Sequence, residues 1–198
     1  INKIKLSQIT QSGIKVILWS DTTLYVGYNR LYFTIADAQS GKAIKNISAS
    51  MQVTMNMGGT MMYAPAEAPV WDDNSGLYGG ATVFTMEGNE GMGRWDIEIS
   101  FENPNDNTNA DFVFHQDVTT AAFTTIVTGQ GNDNNEYMVT LVQPVQPKIG
   151  MNDLELLVDK VPDMDMDMDY SPVNHLTIQF TPQMPDIEGM TSSNNLNP

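Results

Sequence analysis

Cysteine is absent from the 198 residues, and basic residues and histidines are scarce. Without thiols the chain forms no disulfide, no thiolate zinc site, no iron–sulfur cluster and no cysteine nucleophile. Only 9 Lys and Arg stand against 24 Asp and Glu, which gives a net charge of −15. Contacts to phosphates need clustered Lys and Arg, so this balance excludes nucleic acid as a partner. The 2 histidines are too few for a three-histidine catalytic metal site.

Long hydrophobic runs are also lacking. None approaches the ~18 residues that span a bilayer, so we predict no transmembrane segment in this chain. The chain begins at Ile1 without an initiator methionine, and we expect that a signal peptide or a lipid-anchor segment preceded it. The abundance of Asn, Thr, Ser and Gly also favours export. We therefore predict an extracytoplasmic location (periplasm, outer membrane or cell surface) and a protein partner in the cell envelope.

Short stretches in which hydrophobic and polar residues alternate recur along the chain, and Gly, Asn, Asp and Pro separate them. This period of two is typical of half-buried β-strands. Residues 47–57 and 95–101 show it clearly, and closing strands of the first half are predicted at residues 111–118 and 122–127. The helical crossovers of a βαβ fold are lacking, so the sequence predicts an all-β antiparallel sandwich.

The chain contains an internal repeat. Residues 27–33 (GYNRLYF) match residues 150–156 (GMNDLEL) at an offset of 123 (150 − 27), and residues 16–19 overlie residues 139–142 at the same offset. Two copies of one unit predict tandem β-sandwiches, of which the second is incomplete at its C-terminus.

A second match lies further along, with a different offset. Residues 51–57 match residues 178–184 at an offset of 127 (178 − 51), so the second copy carries an insertion, at residues 163–169, where Asp and Met alternate. Carboxylates spaced this way resemble a calcium loop, but Met168 and Asn174 stand where an EF-hand needs Gly and Glu. We predict a solvated hairpin tip, with a calcium or copper site of another kind as the alternative.

The repeat predicts two domains, at residues 1–129 and 130–198, with a linker in the polar stretch at residues 128–135. The second copy has no counterpart to the last strands of the first. Half a sandwich exposes an apolar face and open strand edges. We therefore expect that the native chain continues past Pro198, or that the second copy packs on the first domain or on another molecule.

Short motifs follow one another in a recognisable order: Gly27-x-Asn29-x-Leu31-x-Phe33, Ser40-Gly41-Lys42, Met55-x-Met57, Ala68-Pro69, Gly76-Leu77-Tyr78, Phe84-x-Met86-x-Gly88 and Trp95-x-Ile97-x-Ile99. This order resembles the YtkA-like, or FixH-like, family of bacterial β-sandwich domains, over residues 15–102 and partly over 138–198. One departure is the segment 87–94, which is longer than the family's. The resemblance implies an immunoglobulin-like sandwich outside the cytoplasm, and a link to copper delivery or cation handling near respiratory oxidases.

Methionine is unusually frequent, with 14 residues. Thioether sulfur is a soft ligand that selects Cu(I) over hard ions. Three methionines flank the segment Gly58-Gly59-Thr60, which we predict as a loop that brings their sulfur atoms together. The candidate copper ligands, with the second copy's residues last, are Met57, Met61, Met62, Met92, Met184, Met190 and His175.

Each candidate ligand has an alternative interpretation. Met51, Met55 and Met86 are predicted to fill the core, because Met packs well in irregular sandwich interiors. The exposed methionines form either the metal site or a soft interaction surface. His115 lies on a predicted strand and is the other histidine that could complete a copper site, although a lone strand histidine is typically a surface residue.

Two function hypotheses follow. The first is an exported, non-enzymatic β-sandwich module that binds or delivers Cu(I) through methionines. The second is an envelope structural or adhesion-type module that holds protein partners without a metal. A carboxylate hydrolase that uses Asp72, Asp73, Glu87 or Glu90 is a distant third, because no nucleophile elbow, phosphate-binding glycine loop or zinc-binding HExxH motif is present.

Overall fold

The computed structural model describes residues 2–45, 47–103, 107, 109–123, 125–162, 170–174 and 176–178. Every helix-or-strand element among these residues is a strand, so the described chain contains β-strands and no helix. Neighbouring strands in each sheet pair antiparallel. The predicted all-β class is therefore confirmed. The described residues contain no helix that is long and apolar enough to cross a membrane.

The strands, in chain order, are β1 (Ile4–Gln11), β2 (Ile14–Ser20), β3 (Gly27–Asp37), β4 (Ala49–Met57), β5 (Thr60–Tyr63), β6 (Ala66–Asp72), β7 (Leu77–Phe84), β8 (Trp95–Glu102), β9 (Asn109–Gln116), β10 (Ile126–Gln130), β11 (Glu136–Gln143), β12 (Glu155–Lys160) and β13 (Ser171–Pro172).

Two sheets form a sandwich. The first has the strand order β1-β2-β3-β7-β6 and the second has the order β5-β4-β8-β9. Burial alternates along β2 and β8, as a period of two requires when one face of each strand meets the core. Aromatic rings join the two sheets: the ring centroids of Phe84 and Trp95 are 5.5 Å apart, and those of Phe33 and Phe114 are 6.4 Å apart.

A third sheet has the order β10-β11-β12-β13. The closing strand predicted at residues 111–118 corresponds to β9, but the one predicted at 122–127 is wrong, since β10 pairs with β11 in the third sheet. The backbone makes its last bridges to the sandwich at Val118 and Thr119 and then leaves its edge. The domain boundary predicted between residues 129 and 130 falls inside β10.

The pairing register of β11 with β12 reproduces that of β2 with β3. Ile14 lies opposite Asp37 in the pair β2–β3, and Tyr137 lies opposite Lys160 in the pair β11–β12. Tyr137 and Lys160 lie 123 positions after Ile14 and Asp37, respectively, which is the offset of the sequence match. The predicted match between residues 51–57 and 178–184 lies outside the described residues from position 179 onward.

The segment before β3 is held by the side chain of Asn29. Its amide donates hydrogen bonds to the carbonyl oxygens of Tyr25 (2.7 Å) and Gly27 (2.8 Å), and its oxygen accepts one from the Tyr25 N–H (3.2 Å). Gly27 has a φ of +128°, a backbone conformation that residues with a Cβ atom rarely adopt.

Asn152 makes the same three bonds before β12. Its amide donates to the carbonyl oxygens of Lys148 (2.8 Å) and Gly150 (3.1 Å), and its oxygen accepts from the Lys148 N–H (3.0 Å). Gly150 has a φ of +107°. The motif G-x-N that carries the repeat is thus a backbone-shaping device in both places.

The third sheet packs on the outer face of the first. Ala81 and Val83 point to that outer face and are nevertheless buried, because they share a cavity with Leu157 and Asp159 of β12. Hydrogen bonds also tie the connecting segment to the sandwich, since the Thr125 hydroxyl donates to the Val26 carbonyl oxygen at 2.8 Å.

Candidate functional site

The candidate metal-binding methionines lie on a tight hairpin formed by β4 and β5. The chain turns at Gly58 and Gly59, both with positive φ, and Thr60 already lies opposite Met57. The predicted loop at residues 58–60 is therefore a two-residue turn followed by a strand. A two-residue turn fixes the pairing register, so the positions of the methionine side chains are determined by the ladder.

This register separates two of the candidate ligands. Met62 lies opposite the fully buried Met55 and packs against the core, whereas Met61 lies opposite Asn56 and is 48% exposed. Cross-strand partners share one face of a sheet, and successive residues alternate between faces. Met57 and Met62 therefore share the core-side face, and Met61 points to the opposite, outer face.

A loop at residues 88–93 covers the same end of β4. A Cβ placed on Gly93 would lie 2.9 Å from the carbonyl oxygen of Asn56, and one placed on Gly88 would lie 2.6 Å from the terminal methyl of Met55. Glycine at these positions lets the loop backbone approach the strand closely. The segment 87–94 thus contains a loop packed against the hairpin.

Met92 lies in this loop, beside the end of β4. The Asn89 side-chain oxygen accepts the backbone N–H of Met92 at 3.2 Å and that of Gly91 at 2.9 Å, which shapes the loop. Gly93 lies against Asn56, so Met92 and Met57 are each the chain neighbour of a contacting residue; they are 47% and 41% exposed.

We call Met57, Met62 and Met92 the methionine rim. Met55 is buried beneath it, and Met51 and Met86 are partly buried against the core, in agreement with their predicted packing role. The indole N–H of Trp95 donates to the Met86 carbonyl oxygen at 3.0 Å. The rim thus stands on a well-packed base.

Of the other predicted ligands, Met61 points away from the rim. His175, Met184 and Met190 lie outside the described residues. His115 is on β9, on the outer face of the second sheet, with its Nδ1 2.5 Å from the Asp96 carboxylate. Within the described part of the chain, no three or more His, Asp or Glu side chains lie close enough together to hold a metal ion.

Two of the four carboxylates considered for hydrolysis, Asp72 and Asp73, are engaged in a turn. The Asp72 carboxylate accepts the backbone N–H groups of Asn74 (3.0 Å) and Ser75 (3.1 Å), and the Asp73 carboxylate accepts the Trp71 indole N–H (2.7 Å). Hydrogen bonds from Ser75 and Asn74 lower the pKa of Asp72. A general acid for glycoside hydrolysis needs a raised pKa, so this environment does not favour that role.

Asp159 is a functional candidate that sequence reasoning missed. Only 2% of this residue is exposed, and its Oδ2 atom has no hydrogen-bond partner among the described residues. Burial and, to a lesser extent, the charge of Glu67 raise its pKa from 3.8 to about 6. The repeat offers one signal, because Asp159 replaces Ala36 at the offset of 123.

The groups that face Asp159 come from several elements. Glu67 on β6 and Tyr28 on β3 belong to the first sheet, and Tyr170 lies before β13. Burial raises the pKa of Tyr28 to about 12, with a contribution from the charge of Glu67. Burial raises the pKa of Tyr170, as do the charges of Asp159 and Glu136. This environment disfavours negative charge.

We expect the stability of the protein to respond to the ionisation of Asp159. Because its pKa is higher in the folded than in the unfolded state, the stabilising contribution is complete below about pH 4 and is lost as the pH rises through about 6. In metal-free buffer at pH 7, Asp159→Asn should therefore melt a few degrees above the wild type, and the difference should vanish near pH 4. Melting temperatures measured from pH 4 to pH 8 test this.

The exposed carboxylate of Asp153 provides the matched control for that pH series. Asp153→Asn changes the net charge equally but removes no buried group, so its melting curve should run parallel to that of the wild type. Parallel curves for Asp159→Asn as well would contradict the assignment.

Comparisons with protein-family models, curated proteins and solved structures give no match to this chain. The resemblance to the YtkA-like family therefore stays a prediction, carried by the motifs themselves.

Proposed function

We propose that this protein is an exported, non-enzymatic β-sandwich module that binds Cu(I) at the methionine rim. The contact between Gly93 and Asn56 supports this proposal most directly, because it brings the loop of Met92 to the strand end of Met57. Met62 supplies a third thioether from the same face of the hairpin. Thioether sulfur prefers Cu(I) to hard cations, and an oxidising compartment leaves methionine as the stable sulfur ligand.

The exposure of the rim suits transfer of the ion as well as its binding. Met57 and Met92 are each less than half exposed, so their sulfur atoms are supported by the protein and also reachable from outside. The strand β4 lies between β5 and β8, which holds the hairpin base in place. A protein partner in the cell envelope that presents its own soft ligands would take the ion by ligand exchange at this rim.

An anaerobic Cu(I) titration against a competing chelator tests the proposal. The wild type should bind Cu(I) stoichiometrically. Each of the variants Met57→Leu, Met62→Leu and Met92→Leu should weaken Cu(I) binding by about tenfold or more. Loss of a residue that only supports a metal ligand already costs about tenfold in affinity. Leucine keeps the apolar bulk of the side chain and removes only the ligand sulfur, so folding is preserved.

Met61→Leu is the matched control, since Met61 belongs to the same hairpin but points to the opposite face. It should leave the Cu(I) affinity unchanged. Wild-type binding no tighter than about micromolar, or equal losses in all four variants, would contradict the proposal.

One observation favours the alternative of an envelope structural or adhesion-type module without metal. Ile149, Met151 and Leu154 are exposed in the connection between β11 and β12. Exposed apolar side chains grouped in this way mark protein-interaction surfaces. The same titration separates the two functions, because this alternative expects no rim methionine to affect Cu(I) affinity.

A further inference from the structure

A cavity of about 60 Å³ lies between the first sheet and the third sheet. Side chains from both sides line it, and the polar ones are mostly oxygen donors. The volume exceeds the roughly 30 Å³ that one water molecule occupies in the liquid. The residues that matter here are Tyr28, Glu67, Thr82, Leu157, Asp159 and Tyr170.

Asp159 is the deepest acidic group of this cavity. Only 2% of its surface is exposed, and its Oδ2 has no hydrogen-bond partner within the described residues. The Thr82 hydroxyl does not donate a hydrogen bond to Asp159, because it donates to the Pro65 carbonyl oxygen at 2.8 Å. A buried carboxylate oxygen without a partner is costly, and a bound cation removes that cost.

The charge balance of the cavity is one-sided. Glu67 adds a second carboxyl group, and its charge acts on both Asp159 and Tyr28. No lysine or arginine is among the described residues that line the cavity, and Arg30 lines a neighbouring cavity instead. Asp159 and Glu67 therefore both line this junction, and the Glu67 carboxylate accepts the Tyr28 hydroxyl at 3.4 Å.

We propose that Asp159 and Glu67 bind a Ca²⁺ ion in this cavity and so join the third sheet to the sandwich. The donors are carboxylate and hydroxyl oxygens, which hard cations prefer. Calcium accepts irregular arrangements of oxygen ligands at about 2.3–2.6 Å from the ion, whereas Mg²⁺ demands a near-ideal octahedron and keeps several of its water ligands. The site goes beyond the proposed copper function and is chemically separate from it, since the rim offers sulfur and the cavity offers oxygen.

Calcium-dependent stability of the full chain tests the proposal. After removal of divalent ions, the melting temperature should rise by about 3–6 °C at a Ca²⁺ concentration about ten times the dissociation constant. Asp159→Asn and Glu67→Gln should each abolish this rise. The control Asp153→Asn removes an exposed carboxylate from the third-sheet region and should keep the full rise.

Several outcomes would overturn the proposal. One is a wild type whose melting temperature does not respond to millimolar Ca²⁺. Another is a rise that both variants retain, which would place the ion elsewhere, for example at the Asp-rich residues 163–169. If Asp159→Asn fails to fold, Glu67→Gln decides, because Glu67 is exposed on β6 and its replacement spares the core. Cu(I) titration of Glu67→Gln should match the wild type whichever way the calcium result falls.

Discussion

Replacing Trp95 by Ala should lower the free energy of unfolding by about 3–5 kcal/mol. Trp95 is fully buried, and it is the largest side chain of the core. Its ring packs on Phe84, with ring centroids 5.5 Å apart, and its indole N–H donates to the Met86 carbonyl oxygen. The substitution removes the packing, opens a cavity and leaves that carbonyl without its donor. Equilibrium unfolding in urea measures the loss.

The same substitution should reach the methionine rim. A Cβ placed on Gly88 would lie 2.9 Å from an indole carbon of Trp95, so the ring supports the loop that carries Met92. We therefore expect Trp95→Ala to weaken Cu(I) binding as well as folding. Trp95→Phe keeps an aromatic ring against Phe84 and loses the N–H donor, so its cost should be clearly smaller. A loss below about 1 kcal/mol for Trp95→Ala would contradict this account of the core.

Replacing Asn29 by Ala should cost about 2–3 kcal/mol, and replacing Asn152 by Ala should cost about 1 kcal/mol or less. The two side chains make the same three hydrogen bonds. Asn29 is only 4% exposed, so water cannot reach the backbone groups that the substitution leaves unpaired. Asn152 is exposed, and water replaces its bonds.

Urea unfolding of the two single variants measures this difference directly. Each residue serves as the control for the other, because the local chemistry is identical and only the burial differs. Equal costs in both variants would show that burial does not set the value of this motif.

The strand pattern was predictable because burial of one face imposes a period of two. The stretch 95–101 shows this directly, since Trp95, Ile97, Ile99 and Phe101 all face the core. The likeness of residues 27–29 and 150–152 was visible for a related reason, because the G-x-N motif shapes the backbone in the same way at both places. Strands without clear alternation were harder, and β1 and β13 have largely exposed or mixed patterns.

The arrangement of the candidate ligands depended on pairing that local pattern does not contain. The length of one turn decides whether Met61 lies on the same face of the hairpin as Met57. A turn with one more residue would have placed Met61 on that face. Met57, Met61 and Met62 were near one predicted strand end in the sequence itself. The hairpin register then divided them between two faces.

The amino-acid sequence by itself determined the all-β class, the core-facing side of its regular strands and the position of the G-x-N motifs, because these depend on local alternation and local backbone geometry. Only the tertiary structure decided that β10 joins the third sheet, and that Asp159 is buried in a cavity that Glu67 also lines. The burial of Asp159 arises where segments distant in the chain meet, and the pairing of β10 with β11 left the edge of the sandwich without the strand predicted there. The free energy of such a meeting depends on both surfaces at once, so no single stretch of sequence records it.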